Sequence, residues 1–160
     1  MTKTNAARLL DVQGIKYDLV EYTVDESDLS AIAVASKLGQ NIEQVFKTLV
    51  LQGDKTGVFV CIIPGGEELD LKKAAHVSGN KSAAMVPQKE ILGITGYIRG
   101  GCSPLGMKKK FPTYIDESCI LQDYIFVSAG IRGLQIKITP NDLIASASCE
   151  VADLIMIGSH

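Results

Sequence analysis

Two apolar stretches, Phe46-Lys47-Thr48-Leu49-Val50-Leu51 and Val58-Phe59-Val60-Cys61-Ile62-Ile63, flank the segment Gly53-Asp54-Lys55-Thr56-Gly57 and decide the fold. Both stretches are rich in β-branched and aromatic residues, which favour strands. The segment between them carries the Gly and Asp residues typical of turns, so we predict a β-hairpin. Because both faces of each strand are largely apolar, the hairpin is expected at the centre of a sheet.

Caps and hydrophobic periodicity predict the other elements. Helices are expected over Asn5–Gln13, Ala31–Leu38, Leu71–Val77 and Gln88–Leu92, with a helical turn at Asn41–Val45 and a last helix opening at Thr139-Pro140. Further strands are expected over Tyr17–Tyr22, Thr113–Asp116, Tyr124–Ser128 and Leu134–Ile138. Most connections between strands are short, which favours antiparallel pairing. We therefore predict an α+β fold with a curved, mainly antiparallel or mixed sheet.

The composition is that of a globular protein. With 160 residues, 46% of them hydrophobic, the chain can form one core, and a single domain over residues 1–160 is expected. No apolar run approaches the ~18 residues of a membrane span, and Met1–Gln13 lacks a signal pattern, so we expect a soluble cytoplasmic protein without membrane contact. The four cysteines form no C-x-x-C pair and are expected to be reduced thiols.

Histidines are too few for the usual catalytic or metal sites. A Ser-His-Asp or Cys-His mechanism would depend on His76, because His160 is the last residue. A surface or packing role is the expected one for His76. Two histidines without a carboxylate cluster at ligand spacing predict no metal, and no cofactor is expected.

Basic residues are concentrated between Lys72 and Lys110. This segment holds eight Lys or Arg residues against one acid, Glu90, and so carries +7, whereas the whole chain carries −2, which leaves −9 for the remainder. Such a division favours one surface that attracts polyanions. Solvated lysines on unrelated faces would give the same count.

Lys47 stands in a strand whose alternating faces are both hydrophobic. Its ammonium group therefore either reaches solvent at the end of the strand or points into a pocket. A partly desolvated cation in a pocket would bind a phosphate, a carbonyl oxygen or a developing oxyanion. The sequence leaves both interpretations open.

A glycine-rich segment, residues 93–106, is the leading candidate for a binding loop. It contains five glycines and one proline, and its centre reads Gly100-Gly101-Cys102-Ser103-Pro104. Such a loop offers backbone N–H groups without obstruction by side chains, as binding of an oxyanion or a phosphate requires. A tight connection between strands is the alternative. Cys102 has no well-placed base, so a nucleophilic thiol is not expected.

Five short motifs occur in register over essentially the whole chain. They are VFKTL at 45–49, LDLKK at 69–73, GYIRGGCSPLG at 96–106, TYID at 113–116 and VSAGIRG at 127–133. In order and spacing they resemble the YbaK/EbsC family, which is related to the editing domain inserted in bacterial prolyl-tRNA synthetases. The resemblance implies a barrel-like mixed sheet of about six or seven strands surrounded by helices.

The same resemblance implies an aminoacyl-tRNA deacylase that proofreads translation. The first expectation is removal of Cys from tRNA(Pro), or from Cys-tRNA more generally. Lys47 is the residue on which activity is expected to depend, with Gly100, Gly101 and Ser103 at the ester carbonyl. Residues expected to line the substrate pocket are Tyr22, Thr48, Cys102, Pro104, Asp116, Ser128 and Gly130, with the segment Asp25–Ala31 helping to close it. Residues expected to contact tRNA are Lys72, Lys73, Lys81, Arg99, Lys108, Lys109 and Lys110.

The expected mechanism needs no strong protein nucleophile. An aminoacyl ester is already activated, so positioning and oxyanion stabilisation carry the reaction. The resemblance suggests that the thiol of a Cys substrate attacks its own carbonyl and leaves as a cyclic thiolactone, formally a lyase reaction. Another amino acid would require attack by water, a hydrolase reaction.

Two other functions stay open at this point. One is an Ala-tRNA(Pro) deacylase, which would differ in pocket size. The other is a non-catalytic tRNA- or nucleotide-binding module that uses the basic stretch Lys72–Lys110. Aminoacylated tRNA is the expected partner and prolyl-tRNA synthetase a further candidate, while a monomer and a homodimer are equally open.

Overall fold

The computed structural model describes residues 3–157, so His160 lies outside the described residues. The helices are α1 (Asn5–Val12), α2 (Ala31–Leu38), α3 (Leu71–Val77), α4 (Gln88–Thr95) and α5 (Pro140–Ala147), with 3-10 turns at Ile42–Gln44 and Glu117–Leu121. The strands are β1 (Asp18–Glu21), β2 (Phe46–Gly53), β3 (Gly57–Pro64), β4 (Ala83–Met85), β5 (Thr113–Asp116), β6 (Ile125–Ser128), β7 (Leu134–Ile138) and β8 (Glu150–Ala152).

Four of the predicted helices begin at a side-chain cap. The side-chain oxygens of Thr4, Ser30, Asp70 and Thr139 each accept a hydrogen bond from a backbone N–H in the first turn of the helix that follows. Each cap satisfies an N–H group that the helix itself leaves free. The polar residue before each apolar periodic run therefore predicted where the helix begins.

The strands form two sheets, in the orders β1-β7-β6 and β4-β2-β3-β5-β8. The hairpin β2-β3 pairs from Phe46 opposite Pro64 to Gly53 opposite Gly57 and lies inside the larger sheet, as predicted. Four pairings are antiparallel, whereas β3 with β5 and β5 with β8 are parallel. The α+β class with a mixed, mainly antiparallel arrangement is confirmed.

The arrangement differs from a single barrel-like sheet of six or seven strands. Residues 3–157 form eight strands in two sheets and no closed barrel. One isolated parallel bridge, Val45 with Phe126, joins the two sheets. The two strands absent from the prediction, β4 and β8, have three residues each and are mostly exposed, so they carry no alternating apolar pattern.

Helix α4 also extends beyond its predicted end. It continues through Gly93 to Thr95, where the fully buried Thr95 hydroxyl donates to the Ile91 carbonyl (2.8 Å). Gly96, with φ of 85°, ends the helix in the left-handed conformation that glycine adopts freely. Burial of Thr95 thus outweighs the weak helix propensity of Gly93.

The apolar core holds the bridge between the sheets rigidly. Phe46 and Phe126 are buried on the two strands that meet at Val45, and Val45 itself is 2% exposed. Tightly packed side chains of this kind fix strand positions, because interiors pack as densely as organic crystals. No helix among residues 3–157 has the length and apolar character needed to cross a membrane.

Candidate active site

A cavity of about 410 Å³ opens where β2 and β6 separate. The two strands meet at the bridge of Val45 with Phe126, and β4 pairs with β2 only from Leu51 onward. Among the described residues, the part of β2 between these points, Lys47–Leu49, therefore has no strand neighbour on that side. These three residues line the cavity, so a gap in strand pairing forms the site.

Lys47 faces this cavity, the second of the two outcomes left open by the sequence. Its burial lowers the pKa of the ammonium group, and the carboxylates of Glu68 and Glu67 counteract this only in part. A cation that has lost part of its hydration interacts more strongly with an anionic or developing charge than a solvated one. Lys47 is thus suited to bind an oxyanion or a phosphate.

Two buried side-chain oxygens in the wall of the cavity have no hydrogen-bond partner among residues 3–157. They are Oγ1 of Thr48 on β2 and Oε1 of Gln135 on β7. Gln135 is 5% exposed and lies opposite Ser128 of β6, which also lines the cavity. An unsatisfied buried acceptor costs about 1–3 kcal/mol, so both atoms favour a ligand that donates hydrogen bonds.

The glycine-rich loop contributes a tight turn to the lining of the cavity. The Gly101 N–H donates to the Ile98 carbonyl (3.0 Å), and Gly100, third in this turn, has φ of 81°. A positive φ at the third position is that of a type II turn. Gly100 and Cys102 line the cavity, and neither N–H has a backbone acceptor within residues 3–157. The Gly101 N–H, in contrast, is used by the turn itself.

Cys102 is a poor nucleophile in this position. Burial raises the pKa of its thiol to about 11, although a hydrogen bond from Thr95 opposes the shift. At neutral pH the thiol is therefore almost entirely protonated. The thiol therefore shapes the cavity wall, in agreement with the expectation that it does not attack the substrate.

The structure brings five of the predicted site residues together around the cavity, namely Lys47, Thr48, Gly100, Cys102 and Ser128. Arg99, one of the predicted tRNA contacts, also lines it. Leu29, Ser30 and Ala31, from the segment expected to close the pocket, also line it.

Several other predicted site residues have structural partners away from the cavity lining. Ser103 is fully buried, and its hydroxyl accepts from the Leu105 N–H (3.2 Å). The carboxylate of Asp116 is 1% exposed and accepts from the N–H groups of Ser118 (3.1 Å) and Leu154 (2.9 Å). Both side chains therefore act in turns and loops.

Tyr22, Pro104 and Gly130 also lie outside the lining of the cavity. Tyr22 packs in a cluster with Phe126, and Pro104 borders a separate cavity between α1 and α5. Gly130 adopts φ of 108°, and an added Cβ would lie 2.7 Å from the ring of Tyr97. Glycine is thus required there by packing.

Gly65 and Gln135 line the cavity but were not among the predicted site residues. A Cβ on Gly65 would lie 2.2 Å from that of Ala31, so glycine allows α2 to approach the end of β3 beside the cavity. In Leu134–Ile138 the apolar residues alternate with Gln135 and Lys137, a pattern that by itself predicts a solvent-facing position for Gln135. Because Gln135 is buried instead, its amide needs a partner.

The predicted tRNA contacts belong to different elements. Lys73 on α3 binds Asp153 (3.0 Å) and the Ile155 carbonyl (2.8 Å), whereas Lys110 binds the Ser148 hydroxyl (2.9 Å) at the end of α5. The remaining lysines of the set are exposed, namely Lys72, Lys81, Lys108 and Lys109. Lys73 is therefore partly neutralised by Asp153.

A larger groove of about 870 Å³ beside α1 and β1 is a weaker candidate. Two of its lysines already have partners in the chain: Lys3 pairs with Asp11, and Lys137 lies 4.0 Å from the centre of the Tyr124 ring. Within residues 3–157 no cluster of three His, Cys, Asp or Glu side chains is placed to hold a metal ion. The cavity at β2 alone combines a desolvated cation with unpartnered acceptors in the described part of the chain.

Comparison with known proteins identifies the class to which this fold belongs. The family model of the aminoacyl-tRNA editing domain matches residues 26–145, and the chain belongs to this family. The predicted class of enzyme, an aminoacyl-tRNA deacylase, is thereby confirmed.

Individual relatives agree with this assignment. The chain is 47% identical over 152 residues, 95% of its length and 93% of the relative's, to the Enterococcus faecalis protein named "Putative Cys-tRNA(Pro)/Cys-tRNA(Cys) deacylase EbsC". A 94-residue segment, 59% of this chain and 15% of the other, is 33% identical to proline–tRNA ligase of Shouchella clausii. A solved structure titled "Crystal structure of a putative trans-editing enzyme for prolyl tRNA synthetase" matches with a TM-score of 0.84 and 28% identity, covering 98% of this chain and 99% of that one. The predicted resemblance to the YbaK/EbsC family is confirmed.

Proposed function

We propose that this protein removes cysteine from mischarged tRNA, with Cys-tRNA(Pro) as its first substrate, in the cavity between β2 and β6. The observation that carries the proposal is the position of Lys47, a partly desolvated cation that shares one cavity with the Gly100 turn and with two unpartnered acceptors. The name of the E. faecalis relative supports cysteine as the amino acid.

The aminoacyl ester fits the chemistry of the cavity. Its α-ammonium group offers three N–H donors, and Oε1 of Gln135 and Oγ1 of Thr48 are acceptors that lack a donor in residues 3–157. The ester carbonyl then faces the loop, where the N–H groups of Gly100 and Cys102 are the donors left available. Gly101 is not assigned this role because its N–H is used within the turn.

The reaction then requires positioning and charge stabilisation only. The substrate sulfur attacks the ester carbonyl carbon, a C–S bond forms, and the C–O bond to the ribose breaks. The thiol proton is transferred to the ribose oxygen, which leaves as a hydroxyl group. Lys47 and the loop amides stabilise the negative charge on the carbonyl oxygen between these two steps, a contribution that is typically the largest in acyl transfer.

The tRNA body is expected to bind near the mouth of the cavity. Arg99 lies in the wall of the cavity, and Lys108 and Lys109 are exposed on the same loop segment. These side chains are our candidates for phosphate contacts. Prolyl-tRNA synthetase is proposed to supply further tRNA selectivity in the cytoplasm, with the protein acting as a monomer or a homodimer.

The test is release of labelled amino acid from Cys-tRNA(Pro), Ala-tRNA(Pro) and Pro-tRNA(Pro). We expect release of Cys only, and we expect Lys47→Ala to lower its rate at least about 100-fold. Lys55→Ala is the matched control: it removes the same charge from the exposed turn at the other end of β2 and should leave the rate unchanged.

Other outcomes favour the alternatives. Release of Ala would indicate an Ala-tRNA(Pro) deacylase. No release from any substrate, with retained affinity for uncharged tRNA, would indicate a binding module. Ser-tRNA(Pro), which carries oxygen in place of sulfur, separates the two nucleophiles: attack by the substrate thiol predicts little release of Ser, whereas attack by water predicts comparable rates.

A further inference from the structure

Arg132 contacts both segments that border the mouth of the cavity, although it does not line the cavity itself. Its Nε–H donates to the Arg99 carbonyl (2.8 Å), and its Nη1 binds Oε2 of Glu26 (2.6 Å). Glu26 precedes Leu29 and Ser30, which also line the cavity. One guanidinium group therefore joins two segments that are far apart in the sequence.

The hydrogen bond from Arg132 to the Arg99 carbonyl fixes the peptide group that carries the Gly100 N–H. The Arg99 carbonyl and the Gly100 N–H belong to the same peptide group, and in a trans peptide they point in opposite directions. No peptide bond in residues 3–157 is cis. Fixing the carbonyl toward Arg132 therefore directs the Gly100 N–H away from Arg132.

This peptide is also the one that can rotate. It is the central peptide of the turn Ile98–Gly101, and a type II turn differs from a type I turn mainly by a flip of that peptide. Gly100 has no Cβ to oppose such a flip, since glycine adopts positive and negative φ almost equally well. A contact from outside the turn can therefore select between this conformation, with φ of 81°, and the flipped one.

We propose that Arg132 is a positioning residue for deacylation: by holding the Arg99 carbonyl it keeps the Gly100 N–H directed at the carbonyl oxygen of the ester. This inference rests on the proposed function of the cavity. Packing in the turn agrees with it, because an added Cβ at Gly100 would lie 3.3 Å from Nε of Arg132 and 3.3 Å from Leu29. The ion pair with Glu26, a side chain that is 70% exposed, is secondary, since exposed pairs contribute little energy.

The test compares kcat and KM for release of Cys from Cys-tRNA(Pro) by wild type, Arg132→Ala, Arg132→Lys and Glu26→Gln. Arg132→Ala should lower kcat about 10- to 100-fold, because the Gly100 N–H would no longer be held toward the carbonyl oxygen. Its hydrogen bond stabilises the reaction only when negative charge develops on that oxygen. KM should change less than threefold. Arg132→Lys keeps the charge but lacks the rigid planar group, so only partial recovery is expected. Glu26→Gln should stay within threefold of wild type in kcat.

A second readout does not depend on turnover. Hydrogen exchange or the NMR signal of the Gly100 amide should show a second, flipped conformer in Arg132→Ala and a single one in wild type and Glu26→Gln. A merely structural role would lower the melting temperature without this local change.

The outcomes are separable. If wild type releases no amino acid, the proposed function fails and this inference with it. If wild type is active and folded Arg132→Ala has the same kcat, only the inference fails. If Arg132→Ala raises KM, and high salt raises the KM of wild type in the same way, Arg132 contributes to tRNA binding and the positioning role is wrong. The positioning role is also wrong if Glu26→Gln lowers kcat as much as Arg132→Ala does. If Arg132→Ala does not fold, Arg132→Lys carries the same comparison.

Discussion

The two ends of β2 differ in how their polar groups are satisfied. At the turn end, Oδ1 of Asn80 accepts from the N–H groups of Lys55 and Thr56, while its Nδ2 donates to the hydroxyls of Thr56 and Ser78. At the cavity end, Oγ1 of Thr48 has no partner in residues 3–157. One end of the strand thus stabilises the fold, whereas the other keeps polar groups available for a substrate.

The largest expected effect comes from replacing the cation at the cavity end. Lys47→Met should lower release of Cys at least about 100-fold while raising the melting temperature by about 2–4 °C. The gain in stability, about 1 kcal/mol, follows because a partly desolvated charge is replaced by an apolar chain of similar length. Release assays and thermal unfolding by circular dichroism measure the two quantities.

Lys55→Met is the control at the turn end. Lys55 is exposed, so its replacement should change stability by less than about 0.5 kcal/mol and leave release unchanged. A large loss of stability in Lys47→Met would contradict the view that this end of the strand is not optimised for stability.

The second largest effect is a loss of stability without a loss of activity, at the turn end of β2. Asn80→Ala should lower the free energy of unfolding by about 2–4 kcal/mol, because it removes a buried amide that makes four hydrogen bonds. The melting temperature should then fall by roughly 5–15 °C. Denaturant unfolding measures the loss, and release assayed well below the transition should equal that of wild type.

Asn80→Asp refines this result. It keeps the acceptor for Lys55 and Thr56 but loses the two bonds that Nδ2 donates, so its loss of stability should be smaller. Reduced release by folded Asn80→Ala would show instead that the two ends of β2 are coupled.

Local signals in the sequence predicted much of the fold and part of the site. Helix caps such as Asp70 and the turn of the hairpin are formed by neighbouring residues, so the sequence alone indicates them. Lys47 stood out because a charge within an apolar strand needs an explanation. The cavity itself depends on Val45 meeting Phe126, residues far apart in the chain, and local pattern does not specify that contact.

Local pattern also does not show which predicted site residues lie outside the cavity lining. Asp116 belongs to the motif TYID, on which the predicted resemblance partly rested, yet its carboxylate accepts from the N–H of Ser118 in the 3-10 turn after β5 and from the N–H of Leu154 after β8. The position of Asp116 at the end of a strand was the available signal, since an Asp carboxylate commonly accepts a hydrogen bond from the backbone N–H two residues further on. A motif match shows that a residue matters but does not distinguish a structural role from a catalytic one.

A smaller effect separates two threonines on the same hairpin. Thr48→Val replaces the unpartnered hydroxyl with a methyl group, so stability should be unchanged or slightly higher, while kcat/KM for release should fall about tenfold if that hydroxyl accepts from the substrate. Thr56→Val removes the acceptor for Asn80 and should cost about 1 kcal/mol of stability with normal release. An equal loss of stability in both variants would remove the distinction between the two ends.

The smallest effect concerns pH. Burial lowers the pKa of Lys47, so the ammonium form that the reaction requires is lost at a lower pH than for an ordinary lysine, whose pKa is about 10.4. The kcat/KM for release, corrected for uncatalysed hydrolysis of the ester, should therefore begin to decline at a pH below that value.

Stability should move in the opposite direction: between the folded and unfolded pKa values the unfolded chain binds more protons, so the free energy of unfolding rises with pH. Lys47→Met should lack this rise, whereas Lys55→Met should retain it. If the free energy of unfolding changes with pH in the same way in wild type and Lys47→Met, Lys47 is not desolvated. The charge of Lys47 would then not distinguish the cavity end of β2 from the turn end.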